Sequence, residues 1–162
     1  MPERRTVAAP YNSLSTKVEK AFQAVIIAAA TGIPDDQVFI AFQSGYDTPV
    51  GPVSVGISCE GGIEDGFGSG NYRLSVRVVV SSTLDQDVTD EGSTESETHQ
   101  SYVGKVFDAL CTTDLADSLT SAVDDFKAYG SINRRIGRNR VENRKAVAEM
   151  MLELSCAPSD IT

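Results

Sequence analysis

The chain has no tryptophan, one histidine (His99) and only three cysteines in its 162 residues. A lone histidine rules out a His pair at metal-ligand spacing. Cys59, Cys111 and Cys156 are widely separated, without a CxxC, so neither a zinc site nor a disulfide framework is expected. Odd in number and set among apolar neighbours, they read as buried thiols of a reducing compartment. Long apolar runs are missing too. The longest, around residues 24–30, falls far short of the roughly 20 residues that a membrane span needs. The opening MPERRTVAAP has charges but no apolar segment behind it, unlike a signal peptide. A soluble protein with no membrane partner is the expectation. Positive charge is also scarce. With 14 Lys plus Arg against 23 Asp plus Glu, the net charge is −9, which disfavours free nucleic acid as a partner because phosphate binding needs clustered cations.

The length fits one domain, since domains run to roughly 150 residues, and a chain of this size can bury about 68–70% of its unfolded surface. The expected layout is an N-terminal arm over 1–12, a domain over 13–158 and a C-terminal tail over 159–162. Charge is segregated within it. The run DQDVTDEGSTESE (85–97) holds six acids and no base, and RRIGRNRVENRK (134–145) holds six bases and one acid, Glu142. Each run reads either as a solvated loop or as an interface, because opposite charge blocks can serve neighbouring copies of one subunit. The candidate interface residues are therefore Arg134, Arg135, Arg138, Arg140 and Arg144, set opposite Asp87, Asp90 and Glu91 of another copy.

Periodicity gives the elements. Ser13 or Ser15 can cap a helix whose Val18, Phe22, Val25, Ile26 and Ala29 share a face, with Gly32 as its stop. Val38 to Phe42 is a β-rich run. Val53, Val55, Ile57 and Cys59 alternate with small or polar residues, as do Tyr72, Leu74, Val76, Val78 and Val80, so two strands each bury one face. Between them, residues 60–71 carry five glycines and read as a mobile loop. A second helix starts at Thr94, which with Glu97 forms a capping box, and presents Tyr102, Val103, Val106, Phe107 and Leu110. Thr113 caps a short helix holding Leu115, Leu119 and Val123, and residues 126–130 are extended. Residues 141–156 have helical composition but alternate, with Glu149 and Glu153 on one face, and are read as a strand. The order α-β-β-β-α-α-β-β predicts an α+β fold, a mixed and mostly antiparallel sheet with two main helices on one face.

Chemical motifs fail on context. Gly66, Gly68 and Gly70 are followed by a strand, whereas a phosphate-cradling loop opens a helix. Asp85, Asp87 and Asp90 open like a calcium loop, yet Asp90 stands where that loop needs glycine and Ser96 where it needs a bidentate Glu. His99 has no nucleophile placed beside it by any motif and reads as a surface or capping residue. Met150 and Met151 read as core filling. No catalytic residue, cofactor or metal is expected, and an enzyme is not the reading.

Several segments together carry a resemblance: the amphipathic first helix, YRLSVRVVV (72–80), VGKVFDAL (103–110), DLADSL (114–119), FKAYG (126–130) and the last strand with its CAPSD end. In that order, from Leu14 to Pro158, the chain resembles the tail terminator and head-tail joining proteins of long-tailed bacteriophages. The resemblance implies a structural virion protein of the tail or neck, assembled in the host cytoplasm. Its subunits form a homohexameric ring that ends tail-tube growth, contacts the tail tube protein and the head-tail connector or head-closure protein, and lets DNA pass without specific binding. An acidic or neutral bore, with Asp117, Asp124 and Asp125 near the axis, would suit that passage. The alternatives are a head-closure or connector adaptor and, from a different class, a cytoplasmic module binding a small ligand near the hairpin.

Overall fold

The first helix, α1, spans Pro10–Ala28 in the computed structural model, which describes residues 10–40, 53–83, 94–137, 139–142 and 145–158. Leu14, Val18, Ala21, Phe22 and Ile26 recur at helical spacing and are all buried. Burying a side chain such as Phe22 contributes about 1.5–3 kcal/mol. The helix begins before the serines expected to cap it, at a proline that suits a first helical turn because it lacks the N–H such a position leaves unbonded. Beyond its end, Ala30 and Gly32 have φ of 55° and 88°, left-handed backbone that stops a helix.

A 3-10 turn, Asp35–Gln37, leads into β1 (Val38–Ile40), which pairs parallel with β2 (Val53–Glu64). The rest of the sheet is antiparallel: β3 (Tyr72–Thr83) lies between β2 and β6 (Lys145–Ala157), and the far edge of β6 carries β4 (Lys127–Ile136) and β5 (Arg140–Glu142). The strand order is β1-β2-β3-β6-β4, with β5 pairing β6 beside β4. The alternating apolar residues meet across the register, Val55 with Val80, Ile57 with Val78, Leu74 with Leu154 and Val76 with Leu152, and all are buried. Such cross-strand pairs fix the register, because a slip of one residue would turn the apolar face outward. Against that face pack α1, α2 (Thr94–Leu110) and α3 (Leu115–Ala122). This is the expected α+β fold, a mixed, mostly antiparallel sheet covered on one face by helices.

Several local expectations need correction. The glycine-rich segment is not all loop: β2 runs on to Glu64, past a bulge between Cys59 and Gly61. That bulge frees the N–H of Cys59, which donates to Glu19 Oε2 of α1 at 2.8 Å. The tip is held by its own bonds. Glu64 accepts from the N–H of Gly68 at 3.2 Å and of Gly70 at 2.9 Å, and Ser69 Oγ donates to the Asp65 carbonyl at 2.7 Å. Asp114 rather than Thr113 caps α3, and it makes no side-chain capping bond. The extended segment at 126–130 continues as β4 to Ile136, and β5 adds a ninth element where eight were expected. Of the cysteines only Cys156 is buried; Cys59 is half-buried and Cys111 exposed, because Cys111 falls just beyond α2. The expected run at Ala41 and Phe42, the acidic segment 85–93 with its calcium-like spacing, and the side chains of the Thr94 and Glu97 capping box lie outside the described residues.

Candidate interaction surfaces

The helix-free face of the sheet carries the charge that alternation keeps out of the core. Arg73 and Arg77, four residues apart on β3, share this face with Glu149 and Glu153 of the neighbouring β6. Arg73 Nε lies 3.2 Å from Glu153 Oε1, and its Nη1 donates to Ser155 Oγ at 2.9 Å. Glu149 receives two arginines, Arg77 from β3 and Arg140 from β5, each at 3.1 Å, and Arg77 also reaches Glu60 at 3.6 Å. The Glu149 side chain is only 15% exposed, so this carboxylate sits in a less screened setting than its partners. Asn133, Arg135, Met151, Ser75 and Glu153 border a depression of about 240 Å³ on this face.

The basic run divides according to strand alternation. Arg134 turns toward the end of α2: its Nε donates to the Leu110 carbonyl at 2.6 Å and its Nη2 to that of Thr112 at 3.0 Å. Those carbonyls come at the end of a helix, where the chain leaves acceptors unpaired and the dipole favours a cation. Arg134 therefore serves the fold through these contacts. Arg135 is exposed, and Arg140 is exposed beside Glu149. Arg138 and Arg144, and the acids Asp87, Asp90 and Glu91 proposed to face the basic run, lie outside the described residues. Asp117, Asp124 and Asp125 are all exposed, in α3 and the turn after it.

Among the described residues two apolar surfaces stand clear of the core. Ile63 and Phe67 project at the β2–β3 hairpin, Phe67 with an exposure of 106%. Ile136 and Val141, each 64% exposed, flank the corner between β4 and β5. At that corner Gly137 donates its N–H to the Glu149 carbonyl at 2.8 Å, and a Cβ on Gly137 would come within 2.6 Å of Glu149 Cγ, so a larger residue there would have to push the Glu149 side chain aside. The register places the hairpin beside the C-terminal part of β6, near Ser155, and the corner beside Met150 and Val147, so the two surfaces lie toward opposite ends of the sheet. A third feature is a groove of about 470 Å³ between α1, α2 and α3, lined largely by small residues that include Ala24, Ala28, Ala29, Ala109 and Ala122, with Asp114 at its border.

Sequence reasoning missed one polar pair. His99, expected at the surface, is buried in the first half of α2, and its Nδ1 lies 2.7 Å from Ser82 Oγ near the end of β3. Burial pushes its pKa down. The two residues are 17 apart in sequence and bracket the acidic run, so no local motif could have joined them. The Glu149 cluster was more legible: Arg73 and Arg77 share one strand parity, as do Glu149 and Glu153, and antiparallel neighbours bring such rows together. Met150 fills the core as expected, while Met151 is half-buried on the charged face. Among the described residues no group of three or more His, Cys, Asp and Glu is placed to hold a metal ion, and no helix is long and apolar enough to cross a membrane. The chain matches no protein-family model, and none of the curated proteins is significantly similar to it in sequence.

Proposed function

We propose that the chain is a structural subunit that works by assembling with copies of itself, in the manner of the tail terminators it resembles. It forms a ring, six copies in that reading, which ends tail-tube growth and offers a surface to the head connector. The observation that carries the proposal is the placement of apolar surface outside the core, Ile63 and Phe67 toward one end of the sheet and Ile136 and Val141 toward the other. Large exposed apolar side chains mark interaction sites when they gather. Two unlike patches on opposite ends suit head-to-tail contacts, which close into rings when the rotation per subunit permits. On the charged face of the sheet Arg73, Arg77 and Arg140 are paired with carboxylates, which is compatible with DNA passing nearby without being gripped by them. Mass photometry at micromolar concentration, alone and with tail tubes, tests the reading. Closed multimers in either condition support it, and monomers in both refute it.

A further inference from the structure

We infer that the α1–α2–α3 groove receives the β4–β5 corner of a second copy of this chain, an inference that rests on the self-assembly reading. The groove supplies a wide apolar floor because its helices present alanine at Ala24, Ala28, Ala109 and Ala122. Among the residues that line it the one ionisable side chain is Asp114, and the exposed Asp108 and Asp117 adjoin lining residues Ala109 and Ser118 in the chain. The recess is therefore apolar with an acidic border. Of the two projecting apolar surfaces, only the corner has matching charge. Ile136 and Val141 register with buried Met150 and Ala146 on the helix side, and Arg135 and Arg140 lie on the other face of the corner, so bases rim the apolar pair, Arg140 being paired with Glu149 and Arg135 exposed. The hairpin tip instead carries Glu64 and Asp65 beside Phe67, and would set like charges against Asp114. Two aliphatic side chains on the helix-side face suit an alanine floor, and Arg135, on the other face of β4, stands at the rim of the contact with its guanidinium toward the border acids. The described residues on either side of position 138 are anchored. Gly137 is tied to the Glu149 carbonyl, and Glu149 ion-pairs with Arg140, which limits the ordering cost of docking at those two residues. Groove and corner belong to different elements, so one subunit can offer each to a different neighbour, which is the requirement of a head-to-tail chain of contacts.

Cysteine pairing across the contact tests this directly. The exposed native Cys111 lies next to groove residue Thr112 and is first replaced, Cys111→Ser, in every variant. Ala28→Cys, Ile136→Cys and Phe67→Cys are then made singly; all three positions are exposed, and circular dichroism and thermal melts check that each variant folds. Pairwise mixtures are oxidised mildly, and sedimentation velocity reports assembly of the same samples. The Ala28→Cys and Ile136→Cys mixture is expected to form its mixed disulfide faster than either variant alone, by on the order of 10² through the effective concentration that a formed contact provides. Asp114→Arg is expected to weaken assembly, and Arg135→Glu in the same chain to restore part of it. Sedimentation showing multimers while the mixed disulfide forms no faster than the homodimers overturns this contact and leaves the self-assembly reading standing. Preferential linkage of Ala28→Cys to Phe67→Cys assigns the groove to the hairpin tip and likewise overturns it. Monomers up to 100-micromolar order, with no linkage in any mixture, overturn both.

Discussion

His99 Nδ1 and Ser82 Oγ lie 2.7 Å apart, joining α2 to the end of β3, the two elements that the acidic run separates in sequence. Both residues are buried. Burial holds the histidine below its ordinary pKa of 6.5, because an imidazolium there loses its water. Below pH 6.5 the unfolded chain takes up a proton that the folded chain resists. Stability from this site is therefore level above about pH 7, falls as pH drops through 6.5, and flattens once pH is below the folded value. Urea titrations from pH 5 to 7.5 should show that slope, and His99→Gln should flatten it. Ser82→Ala should cost roughly 1–2 kcal/mol at pH 7.5, the range for leaving a buried polar atom without its partner. An equal slope in wild type and His99→Gln would assign the acid sensitivity to carboxylates instead.

Adjacent arginines should behave differently. Arg134 donates to the Leu110 and Thr112 carbonyls, whereas Arg135 is exposed on the opposite side of β4. Hydrogen bonds from charged groups contribute about 1.5–3 kcal/mol, so Arg134→Ala is expected to destabilise the fold by about 2 kcal/mol. Arg135→Ala should leave unfolding unchanged within about 0.5 kcal/mol, as for exposed positions in general. Chemical denaturation of the two variants side by side checks this. Equal effects would mean that the carbonyl contacts of Arg134 contribute nothing measurable.

The contrast also marks how far the sequence could be read. The two β-strand alternations, the three helices and the α+β class follow from periods of 2 and 3.6, which local burial imposes and a sequence records. The fate of the basic run does not follow from composition. Whether Arg134 meets solvent or α2 depends on which face of β4 packs against the helices; the irregularity between Tyr129 and Asn133 shifts the register with β6 by two residues and keeps the alternation, so Arg134 shares its face with buried Ala128. The Ser82–His99 pair and the Glu19–Cys59 bond are similarly tertiary. Each joins residues whose proximity arises only after the helices cover the sheet. The extent of the hairpin strands is hidden in the sequence for another reason. Five glycines imply conformational freedom, but the glycines' own N–H groups let Glu64 bind the tip.

Glycines give a paired prediction of opposite sign. A Cβ on Gly62 would overlap the Arg73 carbonyl oxygen and press on Leu74, both held in the β2–β3 ladder near its hairpin end. Gly62→Ala should therefore destabilise by about 1–3 kcal/mol, the range for overpacking. Gly104 lies within α2, exposed, and a Cβ there meets nothing within 4 Å. Gly104→Ala should raise stability by about 0.4–1 kcal/mol, because alanine narrows the unfolded ensemble and suits a helix. Thermal melts of both variants are sufficient, and a rise for Gly62→Ala would show that the hairpin can shift to admit the methyl group.

The thiols should separate by reactivity. Burial, together with nearby Cys59, pushes the Cys156 thiol up to about 12, while Cys111 is exposed just beyond α2. Since the thiolate is the reacting form, a disulfide reagent at pH 8 should titrate Cys111 first and Cys156 only after denaturant is added. Cys111→Ser should remove the fast phase. Persistence of that phase would place the reactive thiol at Cys59.

Glu149 should link the stability of the corner to assembly. Its carboxylate holds Arg77 from β3 and Arg140 from β5, and its backbone carbonyl accepts from Gly137, so one residue fixes both sides of the β4–β5 turn. Exposed ion pairs contribute about 0.2–1 kcal/mol each, and this carboxylate is more sheltered than its partners, so Glu149→Gln is expected to destabilise the fold by roughly 1–2 kcal/mol. The loss should shrink in 1 M salt, where the Debye length falls to about 3 Å and the exposed arginines are screened in the wild type as well. If the corner docks between subunits, the same substitution should weaken assembly more than it weakens the fold, because Arg140 and Val141 lose their anchoring while the core is untouched. Denaturation and sedimentation on one sample separate the two effects. A subunit that unfolds earlier yet assembles with unchanged affinity would show that the ion pairs support β6 alone and that the corner plays no part in contacts between copies.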